Sequence, residues 1–222
     1  MWHVQEEGYT AVPSAGAGPG VLVLHPWWGL SDAIKDFCER LAEEGFVAYA
    51  PDLYHGKLAL TIEEAEALSG QLDGETADAD IARAVDHLWQ RVAPGQAGIG
   101  VVGFSLGAFF ALRLSSADPE RVRAVVLFYG TGSGDFGRAK AAYLGHYAAT
   151  DPYEPAEEVA GLETALKSAG RPTTFFRYES VGHWFFEADR PDAFNETAAR
   201  LAWERTVAFL QETVALPSHQ TP

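Results

Sequence analysis

Three side chains in this sequence, Ser105, Asp151 and His183, have the types and the order needed for nucleophilic acyl chemistry. A serine hydroxyl attacks poorly near neutral pH until a base removes its proton, and histidine titrates in the range that suits that task. A carboxylate behind the imidazole fixes its tautomer and stabilises the imidazolium. Ser105 sits in Gly103-Phe104-Ser105-Leu106-Gly107, after the apolar run 99–102 and before the helical apolar pattern Phe109, Leu112, Leu114. Strand, tight turn and helix with serine at the apex make a nucleophile elbow. Its glycines let strand and helix approach without a Cβ clash.

His183 lies in Ser180-Val-Gly-His-Trp184, a loop leaving the last expected strand. The other histidines fit the role of base less well. His87 falls within a helix pattern and His146 within a strand. His55 is in a Gly-Lys loop, His3 and His219 are near the termini, and His25 comes too early in the chain. Asp151, in Ala148-Ala-Thr-Asp-Pro-Tyr-Glu-Pro155, follows the strand expected at 142–147. Its competitors are Asp135 and Asp52, and Asp52 would break the order Ser, Asp, His that this chemistry follows on α/β-hydrolase sheets. The oxyanion needs two N–H donors. Leu106 opens the elbow helix, and Trp27 in the loop His25-Pro-Trp-Trp-Gly29 is the second candidate. Trp27, Trp28 and Trp184 are candidates for a pocket wall, and Phe109, Phe110 and Tyr129 could complete an apolar acyl pocket, although core packing is the commoner role for those three.

The elements that must hold these groups alternate. Strands are expected at 21–24, 46–50, 99–102, 124–129, 142–147 and 173–178, after an entry strand or hairpin in 2–12. Helices are expected from Ser31 or Asp32 to Glu44, from a Thr61–Glu64 capping box to Leu72, at 76–92, after the elbow, at 156–169 and at 192–214. The pattern implies an α/β fold, a mostly parallel sheet covered on both faces, with no cap domain. A single domain over 1–216 and a disordered tail over 217–222 are expected. Asn195-Glu196-Thr197 matches a glycosylation sequon that is given no weight without a secretion signal.

Composition narrows the function classes. Of 222 residues, 47% are hydrophobic, enough for a full core, and the net charge is −15. The acids are scattered over expected helix faces, and clusters of Lys and Arg that nucleic acid would need are missing. Cys38 is the only cysteine, which excludes internal disulfides and a cysteine-built zinc site. No secretion signal is visible and no run approaches the ~18 apolar residues of a membrane span. The expectation is a cytoplasmic protein without metal or organic cofactor, a monomer or small homo-oligomer acting on a small molecule.

Together HPWWGLSD, APDLYHG, GFSLGA, GHYAATDPYEP and SVGHWF resemble the dienelactone hydrolase family of α/β hydrolases, over residues ~20–190. The resemblance implies a lidless domain and hydrolysis of small esters or lactones. It assigns Ser105, His183 and Asp151 as triad, with the Trp27 and Leu106 N–H groups as oxyanion hole. The family's best-known members carry cysteine where this chain has Ser105 and glutamate at the position of Pro26, and the two changes are mutually consistent. Its lactonases hold the substrate carboxylate with an arginine four residues past the histidine. That position is Glu187 here, and a carboxylate there would repel an anionic lactone, so neutral esters are expected.

Other readings fare worse. Of two G-x-G-x-x-G matches, 98–103 runs through a strand, and 132–137 leaves no room for the phosphate-binding helix of a βαβ unit, which needs at least ~10–12 residues. A non-catalytic small-molecule binding module on the same fold, and acyl transfer or perhydrolysis with the same three residues, stay open.

Overall fold

The computed structural model describes residues 8–214. Seven strands form one sheet: β1 (Gly8–Ala11), β2 (Gly20–Leu24), β3 (Val47–Pro51), β4 (Ile99–Phe104), β5 (Val122–Phe128), β6 (Ala142–Ala148) and β7 (Thr173–Tyr178). Their order across the sheet is β1-β3-β2-β4-β5-β6-β7. Only the edge strand β1 is antiparallel, to β3; the remaining pairs are parallel. The helices are α1 (Asp32–Glu43), α2 (Ile62–Gln71), α3 (Gly74–Trp89), α4 (Leu106–Ala117), α5 (Ala156–Ser168) and α6 (Glu196–Val214).

The apolar strands alternate sides with the pleat, as a period of two requires. Leu22, Leu24, Val125 and Leu127 face the layer of α3, α4 and α5, whereas Val21, Val23, Val126 and Phe128 face α1 and α6. Both faces are dry, which is why these strands read as unbroken apolar runs. Helix α2 is the exception among the helices. Only its Ala65 is buried, against Trp28 and Ala59. Among the described residues no helix is long and apolar enough to cross a membrane.

Element boundaries shifted where a local cap or backbone constraint overrode periodicity. The last helix, expected from Asp192, begins at Glu196, because Asn195 Oδ1 accepts the Ala198 N–H at 3.0 Å and caps it there. The sequon asparagine is thus a helix cap. Asp73 caps α3 in the same way, accepting the Thr76 N–H at 2.8 Å, so that helix starts at Gly74 rather than Thr76 and ends at Trp89. Strand β5 starts two residues early at Val122 and stops at Phe128, since Tyr129 adopts a left-handed φ of 38°. Of the entry segment only Gly8–Ala11 is seen as strand; its residues 2–7 and the tail 217–222 lie outside the described residues.

Candidate active site

The elbow is built by steric exclusion. Strand β4 and helix α4 meet so closely that a Cβ on Gly103 would lie 2.4 Å from the Gly107 carbonyl oxygen, and one on Gly107 would lie 2.1 Å from that of Leu24. Any larger residue at either position would push α4 off the sheet. Between them Ser105 is held at φ 48°, ψ −110°, outside the usual basins for a residue with a Cβ. Its N–H donates to the Phe128 carbonyl at 2.9 Å, which ties the strained residue to the end of β5.

Ser105, Asp151 and His183 are brought together, from the ends of three different strands. Ser105 Oγ lies 3.0 Å from His183 Nε2, and His183 Nδ1 lies 2.8 Å from Asp151 Oδ2. The imidazole and carboxylate are nearly shut off from solvent, at 4% and 1% side-chain exposure, while Ser105 stays half-open. Asp151 Oδ1 accepts the N–H groups of Tyr153 at 2.9 Å and Glu154 at 3.2 Å. One carboxylate therefore forms the Asp-Pro turn and faces the histidine at once. The competing acids are used elsewhere. Asp52 accepts the Tyr54 N–H, and Asp135 lies in a groove with Arg113 and Arg138.

Leu106 is the first residue of α4, where an N–H has no carbonyl inside the helix to meet. The close seat of Gly107 on Leu24 sets that helix end against the start of the Trp27 loop. The loop is pinned by His25, whose Nδ1–H donates to the Pro26 carbonyl at 2.7 Å and whose Nε2 accepts the Leu53 N–H at 3.1 Å. Accepting at Nε2 needs the neutral ring, and burial lowers its pKa although the Pro26 carbonyl pulls the other way. His25 is thus a structural residue of the site that sequence reasoning set aside; its place at a strand end was the available signal. His146 serves the core instead, bonded to Tyr178 Oη and Thr206 Oγ1, with burial pushing its pKa down to about 3.

The wall candidates divide. Trp28 is buried under the Arg190 guanidinium, 3.6 Å from its ring centroid. Trp184 stands edge-on to His183 at 5.5 Å. Tyr129 is fully buried with its ring 5.0 Å from the imidazole. Phe110 packs in the core layer with Ala111 and Leu114. Phe109 turns into a different groove, with Thr131, Gly132 and Leu162, because α4 carries its side chain one turn beyond Ser105. Glu187 departs furthest from expectation. It is 4% exposed and accepts a hydrogen bond from Tyr129 Oη at 2.9 Å, so it does not stand in open solvent to repel an anionic substrate. Burial, with Asp189 nearby, raises its pKa to about 8 and keeps it neutral at pH 7.

Sequence reasoning missed two residues here. Tyr153 contacts His183 at 5.0 Å between ring centroids. The carboxyl of Glu154 bonds to Thr131, and burial raises its pKa. Both follow Asp151 in the Asp-Pro-Tyr-Glu-Pro turn, and their proximity to the acid in sequence was the signal.

The buried titratable groups predict a pH profile of stability. His25 and His146 stay neutral inside, so the fold loses stability as pH falls below their ordinary value of 6.5. Glu187 acts oppositely. Unfolded it ionises near 4.5, folded only near 8, so its burial costs progressively more as pH rises through that window and no more above it. Glu154 is shifted in the same direction. Below pH ~6.5 two histidines outweigh Glu187; above it Glu187 is the group that still titrates towards about 8. Stability should peak near pH 6.5 and fall by about 2 kcal/mol by pH 8, at 1.36 kcal/mol per pKa unit. Glu187→Gln should flatten most of that fall in urea-denaturation midpoints. An undiminished fall in the variant would mean that Glu187 is ionised in the folded protein.

The sequence model of the dienelactone hydrolase family matches residues 7–214. A curated relative from Aquifex pyrophilus, Protein usf, is 33% identical over 218 residues, covering 94% of each chain. A carboxymethylenebutenolidase of Rhodococcus opacus is 30% identical over 225 residues, covering 94% of this chain and 86% of its own. Among solved structures, a dienelactone hydrolase-like promiscuous phosphotriesterase from metagenomic libraries superposes with a TM-score of 0.79 at 22% identity, over 90% of this chain and 88% of that one.

Proposed function

This chain belongs to the dienelactone hydrolase family, and from that premise we propose that it is a serine hydrolase of small carboxylic esters or lactones. Ser105 is the nucleophile, His183 the general base and acid, and Asp151 the residue that orients the imidazole. The observation that carries this reading is the continuous chain of contacts from Ser105 Oγ to His183 Nε2 at 3.0 Å and from His183 Nδ1 to Asp151 Oδ2 at 2.8 Å.

The reaction follows from that geometry. His183 Nε2 takes the Ser105 proton as Oγ bonds to the ester carbonyl carbon. Charge moves onto the carbonyl oxygen, where the Trp27 and Leu106 N–H groups receive it, helped by the α4 dipole. Asp151 stabilises the imidazolium through Nδ1–H. The C–O bond to the alcohol then breaks, and His183 gives its proton to the departing oxygen. Water, deprotonated by His183, attacks the acyl-serine and returns Ser105 and the free acid. Ester and water balance the reaction with no further reactant.

Glu187 no longer argues against an anionic lactone, because it is buried and neutral at pH 7. What still favours neutral esters is the lack of an arginine at that position. A fluorophosphonate probe tests the reading. Intact-mass analysis should find one adduct per chain, mapped to Ser105 and missing from Ser105→Ala. A p-nitrophenyl ester series from acetate to decanoate should be turned over best at its short end. A wild-type chain left unlabelled by the probe and inert towards the whole series would remove the serine-hydrolase reading and favour a binding module.

A further inference from the structure

We propose that Tyr153, Trp184 and Trp27 form the subsite for the leaving alcohol, and that it selects a flat, uncharged aryl or benzylic group; this rests on the hydrolase reading above. The side of the site is fixed by the chemistry. His183 returns its proton to the departing oxygen, so solvent-facing rings beside its imidazole border the alcohol and not the acyl chain. Three rings lie beside it. Tyr129 contacts the imidazole from the buried side. Tyr153, at 5.0 Å, and Trp184, edge-on at 5.5 Å, do so where solvent reaches.

Tyr153, Trp184 and Trp27 form one aromatic wall. Tyr153 and Trp184 are 5.0 Å apart, Tyr153 and Trp27 5.9 Å, and the Trp27 and Trp184 rings stack at 6.3 Å with 29° between planes. Tyr153 is 44% exposed, an unusual state for a large aromatic residue packed against the reacting residues. The backbone that carries the ring is also anchored. The Tyr153 N–H donates to the Asp151 carboxylate that faces His183, and Pro152 and Pro155 bracket the turn. The turn that carries Tyr153 and the acid behind the base therefore keep a fixed relation, which is what selectivity in a transition state requires. Charge points the same way. Glu154 and Asp151 flank Tyr153, and the chain carries a net charge of −15, so an anionic alcohol portion is disfavoured.

Benzyl acetate and cyclohexylmethyl acetate separate shape from reactivity, because both release primary alcohols of similar acidity. The aromatic contact should give benzyl acetate a kcat/KM about tenfold higher, within the range that ring pairing adds beyond buried area. Tyr153→Ala should bring the ratio near one and Tyr153→Phe should keep it. The ratio of p-nitrophenyl acetate to butyrate, an acyl-side measure, should be the same in all three proteins. Equal rates for the two acetates in the wild type, or a preference that survives Tyr153→Ala, would overturn the subsite. Binding of benzyl alcohol and cyclohexylmethanol to Ser105→Ala, followed by NMR, keeps this separate from the hydrolase reading. If neither acetate is hydrolysed but benzyl alcohol binds more tightly in a Tyr153-dependent way, the subsite stands and hydrolysis falls. Binding of both alcohols alike, or of neither, removes the subsite.

Discussion

Ser105→Ala is expected to lower kcat/KM for p-nitrophenyl acetate by roughly 10⁴- to 10⁶-fold while leaving the thermal midpoint close to that of the wild type. The size follows from how the three residues act. Without Oγ there is no acyl-enzyme, and His183 and Asp151 then have no proton to move, so the loss approaches that of removing the whole unit. What would survive is the stabilisation of the oxyanion by the Trp27 and Leu106 N–H groups, which acts on any attacking water. Stability should hold because Ser105 is half-open and its side chain caps no helix. The strained backbone even favours the smaller change, since alanine adds no atom at a site crowded by Gly103, Gly107 and Gly130. A loss below about tenfold, with the substrate verified to be hydrolysed by the wild type, would remove Ser105 as nucleophile.

Asp151→Asn carries the second large effect, and the two oxygens of Asp151 give its direction. Oδ1 accepts two backbone N–H groups, from Tyr153 and Glu154. An asparagine amide has one oxygen and one NH₂, and the oxygen belongs where those two donors converge. The NH₂ is then left facing His183 Nδ1, in place of the Oδ2 that stood 2.8 Å away. A donor there demands that Nδ1 be unprotonated, which moves the ring proton to Nε2, the atom that must take the Ser105 proton. The substitution keeps shape and turn and yet locks the wrong tautomer. A fall in kcat of about 10⁴ is expected, the size such an exchange has in a serine triad, with KM little changed. Circular dichroism and the thermal midpoint should match those of the wild type. A fall smaller than tenfold would mean that Asp151 only shapes its turn.

Much of the site is legible in the amino-acid sequence because its chemistry is local along the chain. The elbow needs small residues at fixed spacing around one serine, and Gly103 and Gly107 are where contacts of 2.4 Å and 2.1 Å would otherwise arise. Strand ends are legible because strands buried on both faces are short apolar runs stopped by turn residues. The chain order of Ser105, Asp151 and His183 then follows from the order of β4, β6 and β7. The caps Asp73 and Asn195 are also in view, yet apolar periodicity starts their helices two and four residues away, since periodicity does not register a single side chain that closes a helix end.

The sequence by itself determined which residues could react, and that they would gather beyond the carboxyl ends of the strands of a mostly parallel sheet. Only the tertiary structure decided what stands around them. Glu187 is the sharpest case. Its distance of four residues from His183 suggested a charge facing substrate, but the chain after the histidine turns inward and buries the carboxyl against Tyr129, where desolvation removes the charge. Phe109 likewise follows Ser105 by one turn and yet lines another groove, because the direction of α4 is set by packing on β4 and β5. His25 reads as a spare histidine in the sequence, whereas in the fold its ring ties the Trp27 loop to Leu53. In each case burial or a partner far along the chain gives the side chain its role. Such partners depend on how the helices lie across the sheet, which local sequence pattern does not encode.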